Sequence, residues 1–268
     1  MKVSVVTVSF NQGEFLERAI CSVIGQSGVD VEYIVVDPGS TDGSREIIDR
    51  YKDRISRVVY EEDEGPADGL NRGFEFASGD VYCYLNSDDT FEPDALCRAA
   101  RFLSDHPEFD VICGHAWVTD RHDTRLRRVW SEPFTRLGVA YGAAVQIQPS
   151  TFIRRAAFMK CGGFNPANRS GWDGELLVDL FLSGSRIGIV DEFLSTYRLH
   201  ADSITNSGRL SALSERFNEY RFLRLTGRSR RPLDGCVAIV FRLWKHLFSP
   251  LATWERFTRG PVFNRGID

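Results

Sequence analysis

No Gly-x-Gly-x-x-Gly and no Gly-x-x-x-x-Gly-Lys-Ser/Thr occurs in the 268 residues, so neither a Rossmann dinucleotide site nor a P-loop has support. An EF-hand is excluded as well, because the loop opened by Asp37 has Gly39 at its third position and Thr41 at its fifth. The six cysteines form no C-x-x-C pair and mostly lie in apolar runs; they read as small buried hydrophobes in a reducing compartment and give a zinc site no support. The apolar stretch Cys236 to Leu247 is interrupted by charge and falls short of the roughly 20 residues a bilayer span needs. The opening MKVSVVTVSFNQ has no small-residue cleavage site and runs straight into strand-like alternation, so no secretory leader is expected and the cytoplasm is the expected location. Neither charge dominates: 33 Lys plus Arg face 37 Asp plus Glu, and 43% hydrophobic with 26% charged residues excludes disorder, collagen and coiled coil.

What is present is a length suited to one large domain with an appendage. The charge is unevenly placed. Residues 209–268 hold 12 basic and 5 acidic side chains, a net of +7, which leaves −11 for residues 1–208 out of the total of −4. An acidic body repels nucleic acid, while the basic tail suits an anionic surface.

Hydrophobic periodicity alternates between strand and helix. Lys2 to Phe10 is a strand and Glu14 to Ile24 a helix; Glu32 to Asp37 and Ser44 to Tyr51 repeat the unit. Arg57 to Tyr60, Ala67 to Ala77, Val81 to Leu85, and a helix Pro93 to Ser104 with Pro in its first turn continue it. This predicts an α/β fold with a mostly parallel sheet flanked by helices. The pattern then loosens. Val111 to Val118 and Arg125 to Trp130 read as an antiparallel pair, Gln146 to Arg154 as a strand, Arg155 to Cys161 and Glu175 to Leu182 as helices, and Phe193 to Leu199 as a strand.

In open sheets of this kind ligands sit beyond the carboxyl ends of the strands, so the loops after the strands are where chemistry is sought. Asp37 ends the second strand, and a functional role and a turn-forming role are equally supported there; Asp42 or Ser44 reads as a cap. Asp88-Asp89 follows the fourth strand. Two adjacent carboxylates resist ionising together unless a cation joins them, and a divalent metal would also neutralise a diphosphate.

The ordered series Thr7-Val8-Ser9-Phe10-Asn11, Tyr33 to Gly43, Gly65 to Gly73, Ser78-Gly79-Asp80 and Leu85-Asn86-Ser87-Asp88-Asp89 resembles the nucleotide-sugar half of family 2 glycosyltransferases with the GT-A fold. Gln148-Pro149-Ser150-Thr151-Phe152, Gly162-Gly163-Phe164 and Trp172-Asp173 resemble that family's acceptor half. The resemblance spans roughly residues 2 to 205. It implies a nucleotide-sugar half at 1–105, an acceptor half at 106–208 and a separate helical region at 209–268. It implies a UDP- or dTDP-sugar donor in a pocket formed by Thr7, Ser9, Asp37, Asp68, Asn71, Asn86 and Asp88, with Asp89 and His200 holding Mn2+ or Mg2+. Imidazole suits Mn2+ better. Asp173 is implied as the base that deprotonates the acceptor hydroxyl in an inverting displacement, with Glu175 a competitor whose simpler reading is helix-dipole complementation. Trp172 is equally suited to stacking on a sugar and to the core. Pro38 and Gly69 depart from the usual residues of this family, which bears on the donor sugar rather than on the reaction class.

Two expectations concern the tail. Leu210 to Leu225 and Cys236 to Leu247 read as helices; the second, basic and aromatic, lies either on an anionic membrane at the cytoplasmic face or packed against the catalytic domain or a second copy in a homodimer. The acceptor is expected to be a glycan or lipid-linked glycan of cell-surface polysaccharide or O-antigen assembly. The contrasting hypothesis is a catalytically silent nucleotide-sugar-binding or scaffold protein of the same fold.

Overall fold

The computed structural model describes residues 1–200 and 211–260, so the expected boundary after residue 208 and the Ala201-Asp202-Ser203 segment lie outside the described residues. The first elements are β1 (Lys2–Val8), α1 (Gly13–Ile24), β2 (Asp30–Val36), α2 (Ser44–Arg50), β3 (Arg57–Val59), α3 (Pro66–Glu75), β4 (Val81–Asn86), β5 (Thr90–Phe91) and α4 (Ala95–Asp105). Then follow β6 (Val111–Thr119), β7 (Arg125–Val129), α5 (Arg136–Ala140), β8 (Thr151–Arg154), α6 (Arg155–Cys161), α7 (Trp172–Leu182) and β9 (Ile187–Arg198). The tail supplies α8 (Ser211–Thr226), α9 (Asp234–Phe248) and α10 (Pro250–Arg259).

The strands form one sheet in the order β3-β2-β1-β4-β8-β6-β9-β5, with β7 added beside β6. The first four are parallel, β8 runs antiparallel to β4 and β6, and β6 and β9 are parallel. The α/β class read from the sequence is therefore present. Alternate residues of the central strands feed two cores, as a sheet covered on both faces requires. Val6, Ile34, Tyr82 and Tyr84 pack against α3, α6 and α7, whereas Val3, Val5, Tyr33, Val35 and Cys83 pack against α1, α2 and α4. Helix α3 lies directly on β1 because two glycines four residues apart face it. A Cβ at Gly73 would stand 2.4 Å from Val6 Cγ1, and one at Gly69 only 2.5 Å from Asp63 Oδ2. The neighbour of Gly69 on β1 is Val8, whose Cγ1 would lie 3.2 Å from an added Cβ.

Three expectations need correction. Gln146 to Arg154 is extended only from Thr151, because Gln148–Ser150 turn as a 3-10 helix. The helix expected from Pro93 begins at Ala95, preceded by Asp94 with φ of 56°. Of the six cysteines, all of them free thiols, Cys83 and Cys113 are buried, Cys97 and Cys161 half-buried, and Cys21 and Cys236 exposed. An apolar neighbourhood in sequence did not guarantee an inward position on a helix, where only one stripe faces the core.

The tail packs on the body through one face. Phe222 and Leu225 of α8 and Ala238 of α9 belong to the same hydrophobic cluster as Leu176 and Leu180 of α7. The other face of α9 and α10 is exposed, including Val240, Leu243, Leu247, Leu251 and Trp254. The expectation that the tail packs against the catalytic body is met by α8 and α9. Among the described residues no helix is long and apolar enough to cross a membrane.

Candidate active site

Register brings the candidate residues together. Val8 of β1 pairs with Val36 of β2 and with Asn86 of β4, so the three strands end level and Ser9, Asp37 and Ser87 emerge side by side. The strand order reverses direction of growth at β1, the place where an open parallel sheet leaves a crevice between diverging loops. The loops after β1 and β2 are stapled to each other: Asn11 N donates to Ser40 Oγ (2.9 Å), Thr41 N to Asn11 Oδ1 (2.9 Å) and Gly13 N to Asp42 Oδ2 (2.8 Å).

Asp37 is fully buried. Its Oδ1 accepts from Ser40 N (2.8 Å), Gly39 N (3.1 Å) and Arg45 Nε (3.1 Å), so the loop after Pro38 supplies its donors one residue later. Its Oδ2 is buried without a hydrogen-bond partner, as is the nearby Ser9 Oγ. Since buried polar atoms are normally paired, two orphans at the ends of adjacent strands mark a place shaped for a polar ligand.

The Asp88-Asp89 pair follows β4, clamped by the β5–β9 pairing in which Thr90 and Thr196 hydroxyls meet at 2.6 Å. Asp89 is 1% exposed; its Oδ1 accepts from Arg198 N at 2.9 Å, and its Oδ2 is buried and unpartnered. Burial, reinforced by the charge of Asp88, pushes the Asp89 carboxyl well above the usual carboxylate range. Asp88 Oδ2 lies 3.1 Å from His200 Nε2. Beneath both sits Arg198, 1% exposed, whose Nε donates to Asp88 O (2.7 Å) and whose Nη1 donates to Asp120 O (2.9 Å). Asp89 Oδ2 is a buried carboxylate oxygen without a hydrogen-bond partner, and Asp88 beside it supplies a second carboxylate. Among the described residues no cluster of three or more candidate ligand side chains converges. Mg2+ and Mn2+ take one or two protein carboxylates and complete their shell with phosphate oxygens and water, so the chemistry of the Asp88-Asp89 pair suits such an ion.

The other expected residues are placed as follows. Thr7 is buried and its hydroxyl accepts from Tyr33 Oη (3.1 Å). Asn71 is engaged at both ends of its amide, donating to Phe164 O (2.8 Å) and accepting from Phe164 N (2.9 Å), which ties α3 to the Gly162-Gly163 turn. Asp68 accepts from Glu64 N and Arg72 Nε, both at 3.0 Å, and these bonds hold its carboxyl below the usual range. Asn86 donates to Gln148 Oε1 (2.9 Å), linking the end of β4 to the Gln148 segment. Thr7, Asp68 and Asn71 thus spend these polar atoms on contacts within the fold, while Ser9, Asp37 and Asp89 keep an oxygen unpaired.

Asp173 stands in the first turn of α7 on the wall of a cavity of about 610 Å³ that also meets Gln148. Enclosure by protein raises its pKa, opposed by the Gly174 amide, its own amide and the charge of Arg221. Glu175 is 4% exposed and accepts from Asn165 Nδ2 (3.1 Å) and Asn168 Nδ2 (2.6 Å), so it orders the preceding loop. Trp172 packs with Tyr84 and Phe164 at ring distances of 5.6 and 5.5 Å, which assigns it to the core.

Sequence reasoning missed Arg198, Arg45, and the tail residues Lys245, His246 and Arg256, which line the Asp173 cavity. Arg198 is two residues from His200, and its place in a buried strand is the signal that could have found it. Nothing local marks the tail residues, since only tertiary packing brings α9 and α10 to the cavity.

The profile of glycosyl transferase family 2 matches residues 4–162. TuaG of Bacillus subtilis, a glycosyltransferase named for teichuronic acid biosynthesis, is 38% identical over 104 residues, covering 38% of this chain and 41% of that one. Two solved structures share the fold. S. aureus TarS 1–349 in complex with UDP-GlcNAc has a TM-score of 0.66 at 18% identity, covering 96% of this chain and 75% of that one. The mannosyltransferase PcManGT from Pyrobaculum calidifontis, in complex with GDP-Man and Mn2+, has a TM-score of 0.65 at 16% identity, covering 96% and 73%. With its profile match running from β1 through α6, the chain belongs to glycosyl transferase family 2 and is a glycosyltransferase.

Proposed function

We propose that this enzyme moves a sugar from a nucleotide-sugar donor to a hydroxyl of a glycan or lipid-linked acceptor, with inversion at the anomeric carbon and dependence on Mn2+ or Mg2+. The observation that carries the reading is Asp89 Oδ2, a buried unpartnered carboxylate oxygen beside Asp88 and His200 at the carboxyl end of β4. A divalent ion held there by Asp89 and His200 would neutralise the diphosphate leaving group. Asp37 Oδ2 is positioned to accept an N–H of the base, and Ser9 and Asp88 to bind the ribose. Thr7, Asp68, Asn71 and Asn86 hold the pocket in shape. Asp173 takes the proton of the attacking hydroxyl.

UDP-GlcNAc in TarS and GDP-Man with Mn2+ in PcManGT support a nucleotide-sugar donor and a metal; a UDP- or dTDP-sugar is the donor class we favour. The likeness to TuaG supports a cell-surface polysaccharide product. We assign residues 1–105 to the donor, 106–208 to the acceptor and the helices from 209 onward to a membrane-facing wall at the cytoplasmic surface. The decisive experiment measures nucleotide release from UDP-, dTDP- and GDP-sugars with and without chelator. Asp173→Asn is expected to bind donor like the wild type and to transfer about 10²–10⁴-fold more slowly. Full activity in that variant overturns the base assignment, and turnover unaffected by chelator overturns the metal.

A further inference from the structure

Arg198, the last residue of β9, buries its whole side chain beneath the Asp88-Asp89 pair. A buried guanidinium costs stability that an apolar side chain would not, and it is tolerated only where its donors find acceptors. Here they find them in three directions. Nε donates to Asp88 O at 2.7 Å, Nη1 to Asp120 O at 2.9 Å and Nη2 to Asp123 Oδ1 at 2.5 Å. The backbone N–H of the same residue donates to Asp89 Oδ1 at 2.9 Å. One residue thus grips the peptide that joins the two acids and occupies one oxygen of the second, while Asp89 Oδ2 keeps no partner.

The turn between β6 and β7, residues 120–124, holds the guanidinium in place. The turn is stiffened from within, since Asp120 Oδ1 accepts from His122 N (2.8 Å) and Thr124 N (2.9 Å). It is also anchored to α1: Arg18 Nη1 donates to Asp123 Oδ2 (2.6 Å), and Arg121 Nη2 donates to both carboxylate oxygens of Glu14 (2.7 and 2.9 Å). Helix α1 opens at Gly13, whose N–H is stapled to Asp42 in the loop after Asp37. A chain of contacts therefore runs from the Asp37 loop through α1 and this turn to the Asp88-Asp89 pair. Asp123, with 44% of its side chain exposed, is the joint where Arg18 and Arg198 meet.

We propose that Arg198 is a positioning residue for the divalent ion: clamped through Asp123 by the β6–β7 turn, it fixes the Asp88-Asp89 peptide so that Asp89 Oδ2 is held ready for the cation. The proposal rests on the reading of Asp89 as metal ligand and adds the device that aims it. A guanidinium directs its donors in a rigid fork that an ammonium cannot reproduce, so geometry and charge are separable at this position. Groups that orient a ligand without touching the ion change its affinity by about 10–100-fold when they are removed.

Mn2+ is titrated into the full chain saturated with UDP, free Mn2+ being read by electron paramagnetic resonance, and UDP affinity is measured separately by calorimetry in chelator. Arg198→Lys keeps the charge and loses the fork. Asp123→Ala removes the joint from an exposed position, and it tests the proposal should a lysine in the buried strand prevent folding. Each variant is expected to bind Mn2+ about tenfold or more weakly and to bind UDP in chelator like the wild type. Mn2+ affinity at the wild-type value in either folded variant overturns the proposal. An equal loss of UDP affinity in chelator also overturns it, since that marks a general loosening of the pocket. A wild-type chain that takes up neither UDP nor Mn2+ removes the donor and metal reading and this proposal with it, whereas a wild type that binds both, with variants that match it, removes the proposal alone.

Discussion

At the scale of single residues, the environment of Asp173 makes a prediction of defined sign. Folding raises its pKa through enclosure. The neutral form is therefore the one the fold favours: that contribution to stability is fully present below the ordinary carboxylate value of about 3.9 and is lost as pH rises through the folded value. Asp173→Asn, which cannot ionise, is expected to melt no lower than the wild type at neutral pH, with the difference closing in acid. A base must be ionised to act, so the acid limb of the pH profile of kcat/KM is expected above the ordinary carboxylate range. Thermal melts across pH and the rate profile check both statements; a variant that melts well below the wild type at neutral pH would assign Asp173 a structural role instead. The sequence made the acidic residues of this site legible because adjacent carboxylates after an apolar strand have few structural uses. It could not show which oxygen of each is satisfied. That depends on Arg198 N reaching Asp89 and on Ser40 N turning back to Asp37, contacts 109 and 3 residues apart.

Among the elements, α8 carries the join between tail and body. Phe222 is fully buried, with its ring 5.4 Å from that of Tyr141 and the guanidinium groups of Arg230 and Arg228 lying 4.8 and 5.3 Å from it. Truncating such a ring leaves a cavity as well as losing transfer energy, so Phe222→Ala is expected to cost about 3–5 kcal/mol. Urea unfolding measures it; a loss below about 1 kcal/mol, the size of an ordinary surface change, would show α8 to be a loosely attached appendage. This join was invisible in the sequence, where Leu210 to Leu225 reads only as a helix. The donor half was legible element by element because strand and helix periods alternate there and every loop carries turn residues. The second half was less so. Strand β9 runs for 12 residues with irregular pairing to β6, and Gln148–Ser150 uses a 3-10 turn where periodicity suggested a strand. Long-range pairing decides such segments, and local pattern does not.

For the whole molecule, the near-neutral total conceals a division of labour between an acidic body and a basic tail, and the fold gives that division a direction. The apolar faces of α9 and α10 point away from the body, while their polar faces close the Asp173 cavity. A chain that docked by charge alone would leave the membrane on adding salt; one that also inserts apolar side chains would stay partly bound, because hydrophobic burial is not screened. Vesicles containing anionic lipid are therefore expected to sediment the enzyme, with weaker but measurable binding at high salt. Val240, Leu243 and Leu247 share one exposed stripe, so the triple change Val240→Glu, Leu243→Glu and Leu247→Glu places three acids against an anionic surface without entering the core. It is expected to abolish sedimentation while donor turnover on a short soluble acceptor persists, since the donor pocket we propose is at the carboxyl ends of β1, β2 and β4. Wild-type protein that remains in the supernatant at low salt, or a triple variant that sediments unchanged, would refute the membrane-facing role and leave that stripe as a surface for a second copy of the chain.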